Sequence, residues 1–265
     1  MRSDNQQTCS TNFQSKNIKA IVSYQGANPS LLPNSTAYRY KEACIDEPYA
    51  NIVPVVALDP VAGRELGNNG SPFDVVIHST DGFSEASLYR WFLSGTAFQS
   101  HSTDPTLFAV YENNTVPTYS GNLMLEAPKR GEWVYIIIES MIPLPHPIHL
   151  HGHDFFILAA GRGQFDSSVV LNTKNPPRRD TAMMPSDTPG MGGYLVVGFQ
   201  VDNPGAWLMH CHIGWHVSMG FALQILELQD EIKGTVKDSC KLEQTCKTWT
   251  KYHNDNSLAF LDSGV

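Results

Sequence analysis

Short apolar runs of strand length, cut by turn residues, constrain this chain more than any other feature. They fall at residues 73–78, 87–93, 132–139, 154–160, 194–201, 206–211 and 221–228, and residues 18–24 alternate apolar and polar with period two. Clusters such as Asn68-Asn69-Gly70-Ser71-Pro72 and Asp187-Thr188-Pro189-Gly190 punctuate them. Many short strands with turn signals predict an all-β sandwich or barrel, and 20 glycines and 17 prolines suit that class. Two helices are expected, one near 104–110 and one over 238–252. In the second, Asp238 or Ser239 can cap, and Leu242, Cys246 and Trp249 recur every three to four residues.

At 265 residues the chain is long enough for a sizeable core. Its net charge of −8, with no basic run, argues against nucleic acid or an anionic membrane surface as partner. No apolar stretch nears the ~20 residues that span a bilayer. The first residues, Met1 to Gln7, are polar and contain no signal peptide. Asn34, Asn69 and Asn113 nevertheless sit in glycosylation sequons, a feature of secreted proteins.

Seven of the ten histidines lie in two tight clusters. The first is His146-Pro147-Ile148-His149-Leu150-His151-Gly152-His153, and the second is His210-Cys211-His212-Ile213-Gly214-Trp215-His216. On a strand, side chains 210 and 212 point to one face and 211 to the other. One strand can therefore serve two metal sites. A thiolate from Cys211 with two imidazoles is a soft, trigonal set that favours copper in an electron-transfer site. His216 returns across a glycine-containing turn, and His146 is the natural third ligand. Phe221 occupies the place of a weak axial ligand and cannot coordinate, which favours Cu(I) and raises the potential. His149 and His151 share one face and can join His210 and His212 at a second metal. Two other readings stand beside this one. Four histidines could hold zinc, which leaves Cys211 without a role, and a buried cysteine could be inert core. His78, His101, His153 and His253 are expected to be plain surface histidines.

These motifs resemble the C-terminal part of a laccase, a blue multicopper oxidase. The first cluster is similar to that family's third copper motif. The second, through Phe221 and preceded by Asn203-Pro204-Gly205-Ala206-Trp207, is similar to the fourth. Pro177-Arg178-Arg179-Asp180 and the terminal Asp262-Ser263-Gly264-Val265 resemble the ascomycete branch. The resemblance implies a cupredoxin-like Greek-key β-sandwich and a copper enzyme that oxidises phenols or aromatic amines by one electron and reduces dioxygen to water. It implies type 1 copper ligands at His146, Cys211 and His216, a type 2 ligand at His149, and type 3 ligands at His151, His210 and His212. It further implies a phenol pocket lined by Tyr89, Trp91, Ile142 and Trp215. Asp262, Ser263, Gly264 and Val265 would form a C-terminal plug in a solvent channel, and the location would be extracellular.

The same resemblance implies four His-x-His pairs for the oxygen site, whereas the chain offers two, 149/151 and 210/212. Residues 1–51 are accordingly expected to be a remnant of a second cupredoxin domain, and 52–265 a C-terminal cupredoxin domain. The missing N-terminal cupredoxin domains are then expected partners, and the alternative function is a non-catalytic type 1 copper or electron-transfer fragment. Cys9 and Cys44 resemble the family's second-domain disulfide, worth roughly 4 kcal/mol in the chain-entropy model. Cys246 resembles a cysteine that bridges to the first domain, with local pairing to Cys240 left open. Arg178, Arg179 and Asp180 either orient a ligand or form a salt bridge, with the salt bridge preferred.

Overall fold

The computed structural model describes residues 2–3, 18–32, 34, 36, 46–60, 74–83, 88–117, 122–186, 192–258 and 260–265. The chain divides into two units, Met1–Asp46 and Glu47–Val265. In the first, β1 (Arg2–Ser3) pairs antiparallel with β2 (Ile18–Lys19). The alternation over 18–24 thus forms a strand only at its start. Ile21, Val22 and Tyr24 are exposed, so the apolar side of this stretch is not covered. Cys9, Cys44 and Asn69 lie outside the described residues. Asn34 and Asn113 are exposed.

The second unit is a sandwich of two mixed sheets. Its strands are β3 (Asp74–Phe83), β4 (Tyr89–Leu93), β5 (Met124–Ala127), β6 (Trp133–Ser140), β7 (His146–Leu150), β8 (Phe155–Arg162), β9 (Arg178–Arg179), β10 (Thr181–Met184), β11 (Gly193–Gln200), β12 (Gly205–Cys211) and β13 (Ala222–Glu227). The six-stranded sheet runs β4-β3-β6-β11-β8-β9 and the five-stranded sheet β10-β7-β12-β13-β5. Side chains from both inner faces meet in one core, which includes Ile77, Ile136, Phe155, Leu195 and Phe199 from one sheet and Ile148, Leu150, Met209, Cys211 and Ile225 from the other. The all-β expectation holds.

β6 reads as continuously apolar because both of its faces are covered. Val134, Ile136 and Ile138 enter the main core. Tyr135 and Ile137 join Phe156, Leu158 and Val196 on the outside, where Phe165 and Leu171 pack over them. The outer face of the five-stranded sheet is covered by α1 (Thr106–Asn113) and α3 (Gln229–Thr235), through Val110, Leu226 and Ile232. A short helix, α2 (Gly214–Ser218), joins β12 to β13. The last helix, α4 (Ser239–Asp255), starts where expected, and the Asp238 side chain accepts from Lys241 N at 2.9 Å. Cys240 and Cys246 both lie on α4 and are free thiols, so they form no local bridge. Six residues apart on one helix, they face different directions. Among the described residues, no helix is long and apolar enough to cross a membrane.

His153 is not a surface histidine. Its side chain is 6% exposed, and Nε2 lies 2.6 Å from Oε2 of Glu227, which is fully buried. The other carboxylate oxygen accepts from the backbone of Asp202 at 2.5 Å and Asn203 at 2.7 Å. Asn203 Nδ2 in turn donates to Gly152 O at 2.9 Å. This polar knot ties the turn after β7 to the turn before β12. Replacing Glu227 by Ala strands a buried imidazole and removes the acceptor of two backbone amides. The expected loss of stability is about 3–5 kcal/mol, read from urea denaturation. A loss below about 1 kcal/mol would show that the knot is not fixed as described.

Candidate metal centres

β7 and β12 lie side by side, antiparallel, with His149 opposite His210 and Ile148 opposite Cys211. On β7, His146, Ile148 and Leu150 point inward and are buried, while His149 is half-buried on the other face. On β12, Met209 and Cys211 point inward and His210 outward. Two strands therefore supply two sites on opposite faces of one sheet.

On the inner face, Cys211 Sγ lies 3.7 Å from His146 Nδ1 and 3.5 Å from His216 Nδ1, and the two nitrogens are 3.2 Å apart. A point about 2 Å from all three atoms sits inside that triangle, close to metal–nitrogen and metal–sulfur bond lengths. His216 reaches the site from α2, whose fold back is closed by Phe221 N donating to His216 O at 2.9 Å and Cys211 N donating to Phe221 O at 3.1 Å. The Phe221 ring lies 4.8 Å from that of His146. Trp91, from the opposite sheet, lies 4.4 Å from His216 and 5.0 Å from His146. Burial pushes the Cys211 thiol up to about 12. Burial, and then the neighbouring His216, push His146 down to about 3, and burial also lowers His216. The metal-free site is thus a neutral thiol between neutral imidazoles, in which a cation takes the place of the thiol proton. Two nitrogens and a sulfur in a dry trigonal set fit copper.

On the outer face, His149, His151 and His210 each offer a ring nitrogen within 4.8 Å of the others. His151 and His210 approach through Nε2 at 3.1 Å. His212 stacks on His210 with ring centres 5.6 Å apart and faces His149 at 5.8 Å. His151 and His212 lie one residue past their strands, yet their backbone amides extend the pairing, donating to Leu208 O at 2.9 Å and Pro147 O at 2.7 Å. Nδ1 of His149 meets Asp180 O at 2.6 Å, and Nδ1 of His210 meets Cys211 O at 2.9 Å. A proton held at those nitrogens leaves each Nε2 with its lone pair for a metal. Burial lowers His151 and His210, with the neighbouring histidines adding to it. Copper fits this imidazole set too.

The remaining site residues are placed less uniformly. Trp215 is 72% exposed beside His216, and Tyr89 is 37% exposed. Trp91 is only 2% exposed, and Ile142 is half-buried and packs against the main core. Asp180 meets His149 Nδ1 through its backbone carbonyl, with its carboxylate Oδ2 at 4.0 Å from the same nitrogen, and Thr181 Oγ1 adds a contact at 3.1 Å. Arg178 donates to Val56 O at 2.9 Å. The C-terminal segment docks against α2. Ser263, fully buried, donates through N to Ser218 O and through Oγ to Val217 O, both at 2.7 Å, and its own carbonyl accepts from Ser100 N. Gly264 needs its positive φ of 73°, and a Cβ there would meet Ser100 Oγ at 2.9 Å. Val265 is half exposed. Sequence reasoning missed the His153–Glu227 knot and the Asp180 contact. An acid within the apolar run 221–228 was the available signal for the first.

Residues 93–231 match the family model of multicopper oxidases. The chain is 35% identical to Laccase-1 of Botryotinia fuckeliana over 265 residues, covering 98% of this chain and 44% of that protein. It is 35% identical to a laccase of Neurospora crassa, covering 90% of this chain and 39% of that protein. The crystal structure of the laccase from Botrytis aclada superposes with a TM-score of 0.75 at 36% identity, covering 98% of this chain and 46% of that one. Fet3p, a multicopper oxidase, shares the fold at a TM-score of 0.58 and 20% identity, over 83% of this chain and 42% of that one. The chain belongs to the multicopper oxidase family, whose chemistry uses copper. It spans less than half the length of each of these four proteins.

The burial of Cys211 has a direct chemical consequence. A water-soluble thiol reagent should modify exposed Cys240 first, half-buried Cys246 more slowly, and Cys211 only on unfolding. Peptide mapping during the reaction checks this order. Early labelling of Cys211 in the folded chain would show that the inner site is open to water.

Proposed function

We propose that this chain carries part of a laccase-type centre, in which phenols or aromatic amines lose single electrons and dioxygen is reduced to water. The observation that carries the reading is the position of Cys211. It faces inward between His146 and His216, while its sequence neighbours His210 and His212 belong to the outward histidine cluster. In this reading His146, Cys211 and His216 hold a type 1 copper, with Phe221 as a non-coordinating wall. His149 serves a type 2 ion, and His151, His210 and His212 serve type 3 ions. Copper held in the two sites supplies one-electron chemistry. The protein's share is to present His216 near solvent, with Trp215 exposed beside it. The peptide from Cys211 to His210 and His212 then gives a covalent path to the outer face. Dry packing by Trp91 and Phe221 excludes water from the sulfur.

The same reading makes residues 1–51 part of a second cupredoxin domain and 52–265 a C-terminal one, in a secreted glycoprotein with a Cys9–Cys44 bridge. The chain has two His-x-His pairs. His151 and His153 do not make a third, because His153 is engaged by Glu227. The 265-residue chain alone is therefore expected to behave as the electron-accepting half. Loaded with copper, it should show the intense thiolate-to-copper band of a blue site, and Cys211→Ser should abolish that band. An oxygen electrode with a phenol should record no sustained consumption. A band that survives the substitution would remove Cys211 from the site, and multiple turnovers by the pure chain would show that two pairs suffice.

A further inference from the structure

The end of the chain is stitched to the element that presents His216. That element, α2, has five residues, far short of the ~12–15 that an isolated helix needs to hold its shape. The place of His216 Nδ1, 3.5 Å from Cys211 Sγ, is therefore fixed from outside the helix. One restraint comes from the opposite sheet, where Trp91 N donates to Met219 O and Phe98 N to Gly220 O. The other is Ser263, a polar residue that is fully buried. Its Oγ donates to Val217 O and its N to Ser218 O, both at 2.7 Å, and these are the two residues that follow His216. Oγ also accepts from Val265 N at 3.3 Å, so the hydroxyl is engaged as donor and as acceptor. The same tail is tied to β4 and the segment after it. Ser100 N donates to Ser263 O at 2.7 Å, Gln99 Nε2 to Phe260 O at 3.4 Å, and the Arg90 guanidinium to Leu261 O. Residues 260–265 thus join α2 to the strand that carries Trp91, whose ring lies 4.4 Å from that of His216.

We propose that the C-terminal segment is a clasp for the inner metal centre, with Ser263 as a positioning residue for His216. This rests on the reading of His146, Cys211 and His216 as a copper site, and it gives the tail a task other than filling a solvent channel. Ser263 touches no ligand atom. It holds the two carbonyls that follow His216, and so holds the turn from which the imidazole projects. The other two ligands do not depend on it, because His146 and Cys211 sit on the paired strands β7 and β12. Loss of the Ser263 bonds therefore frees one ligand of three. A cation held by a preset triangle leaves slowly, and one held by two fixed ligands and one loose one leaves faster. Groups that orient a ligand from behind are worth about 10–100-fold in metal affinity.

Two measurements on the 265-residue chain test this. In the metal-free chain, Ser263→Ala should speed amide hydrogen exchange at His216, Val217 and Met219 about ten-fold and leave the amides of β12 unchanged. In the copper-loaded chain, the same substitution should shorten the fading of the blue band in excess EDTA about ten-fold. Gly264→Ala should act alike without touching the serine, because its φ of 73° is strained for alanine and its Cβ would meet Ser100 Oγ at 2.9 Å. Val110→Ala, in the cluster beneath α1 and α3, controls for a general loss of stability and should move neither readout. Unchanged exchange in α2, faster exchange without faster copper loss, equal effects from Val110→Ala, or failure of both tail variants to fold would overturn the clasp while leaving the copper site standing. A wild-type chain that binds copper without a blue band would overturn the copper site and the positioning role with it.

Discussion

Everything functional here depends on one backbone pairing, that of β7 with β12. Setting His149 opposite His210 and Ile148 opposite Cys211 fixes which side of the sheet each ligand faces. Side-chain direction has period two, so a slip of one residue on β12 would send Cys211 to solvent and His210 into the core. Burial opposes that slip. Ile148, Leu150, Met209 and Cys211 are each at most 1% exposed, and burying a residue of the Leu, Ile or Met class is worth roughly 1.5–3 kcal/mol. The hydrophobic register of the core and the ligand register of the metal centres are therefore the same constraint.

The inner site is completed by elements distant from that pairing. Gly220 adopts a φ of 102°, and a Cβ there would meet Ala97 Cβ at 3.1 Å and Phe98 N at 3.2 Å. Glycine lets the turn after α2 press against the segment following β4. Trp91 N donates to Met219 O and Phe98 N to Gly220 O, at 2.9 and 3.1 Å, which locks the opposing sheet to that turn. His216 and Phe221 flank the same turn. Their positions are set by the contact between sheets as well as by their own strand or helix. Ser263 then bonds the back of α2.

This division explains what could be read from sequence. His210, Cys211 and His212 declare opposite faces by spacing alone, because strand geometry is local. The strands at 133–140, 193–200 and 205–211 were visible for the same reason, as was the Asp238 cap. Residues 18–24 show the limit, since alternation without a partnering face did not extend the strand past Lys19. The burial of Trp91 was not legible, because it depends on a turn about 130 positions further along the chain. Neither could His153 be told from a surface histidine. Its partner Glu227 comes from a strand remote in sequence, and only long-range pairing brings the two together.

A shared strand also limits how the two centres can be tuned. Any change that rotates β12 moves Cys211 and His210 together, in opposite senses, so the strand itself cannot adjust one site alone. Independent adjustment must come from groups that touch only one face. On the inside these are Trp91 and Phe221, which set the dryness around the sulfur. On the outside they are Asp180 and Thr181, which hold His149 at Nδ1. Thr181 lies opposite His149 on β10, and Met184, opposite His146, is fully buried. The edge strand thus repeats the alternation of β12, with a polar group toward the outer histidines and an apolar one toward the core. Two faces of differing dielectric, joined by three consecutive residues, let a buried thiol and a solvated histidine cluster coexist about one peptide unit apart.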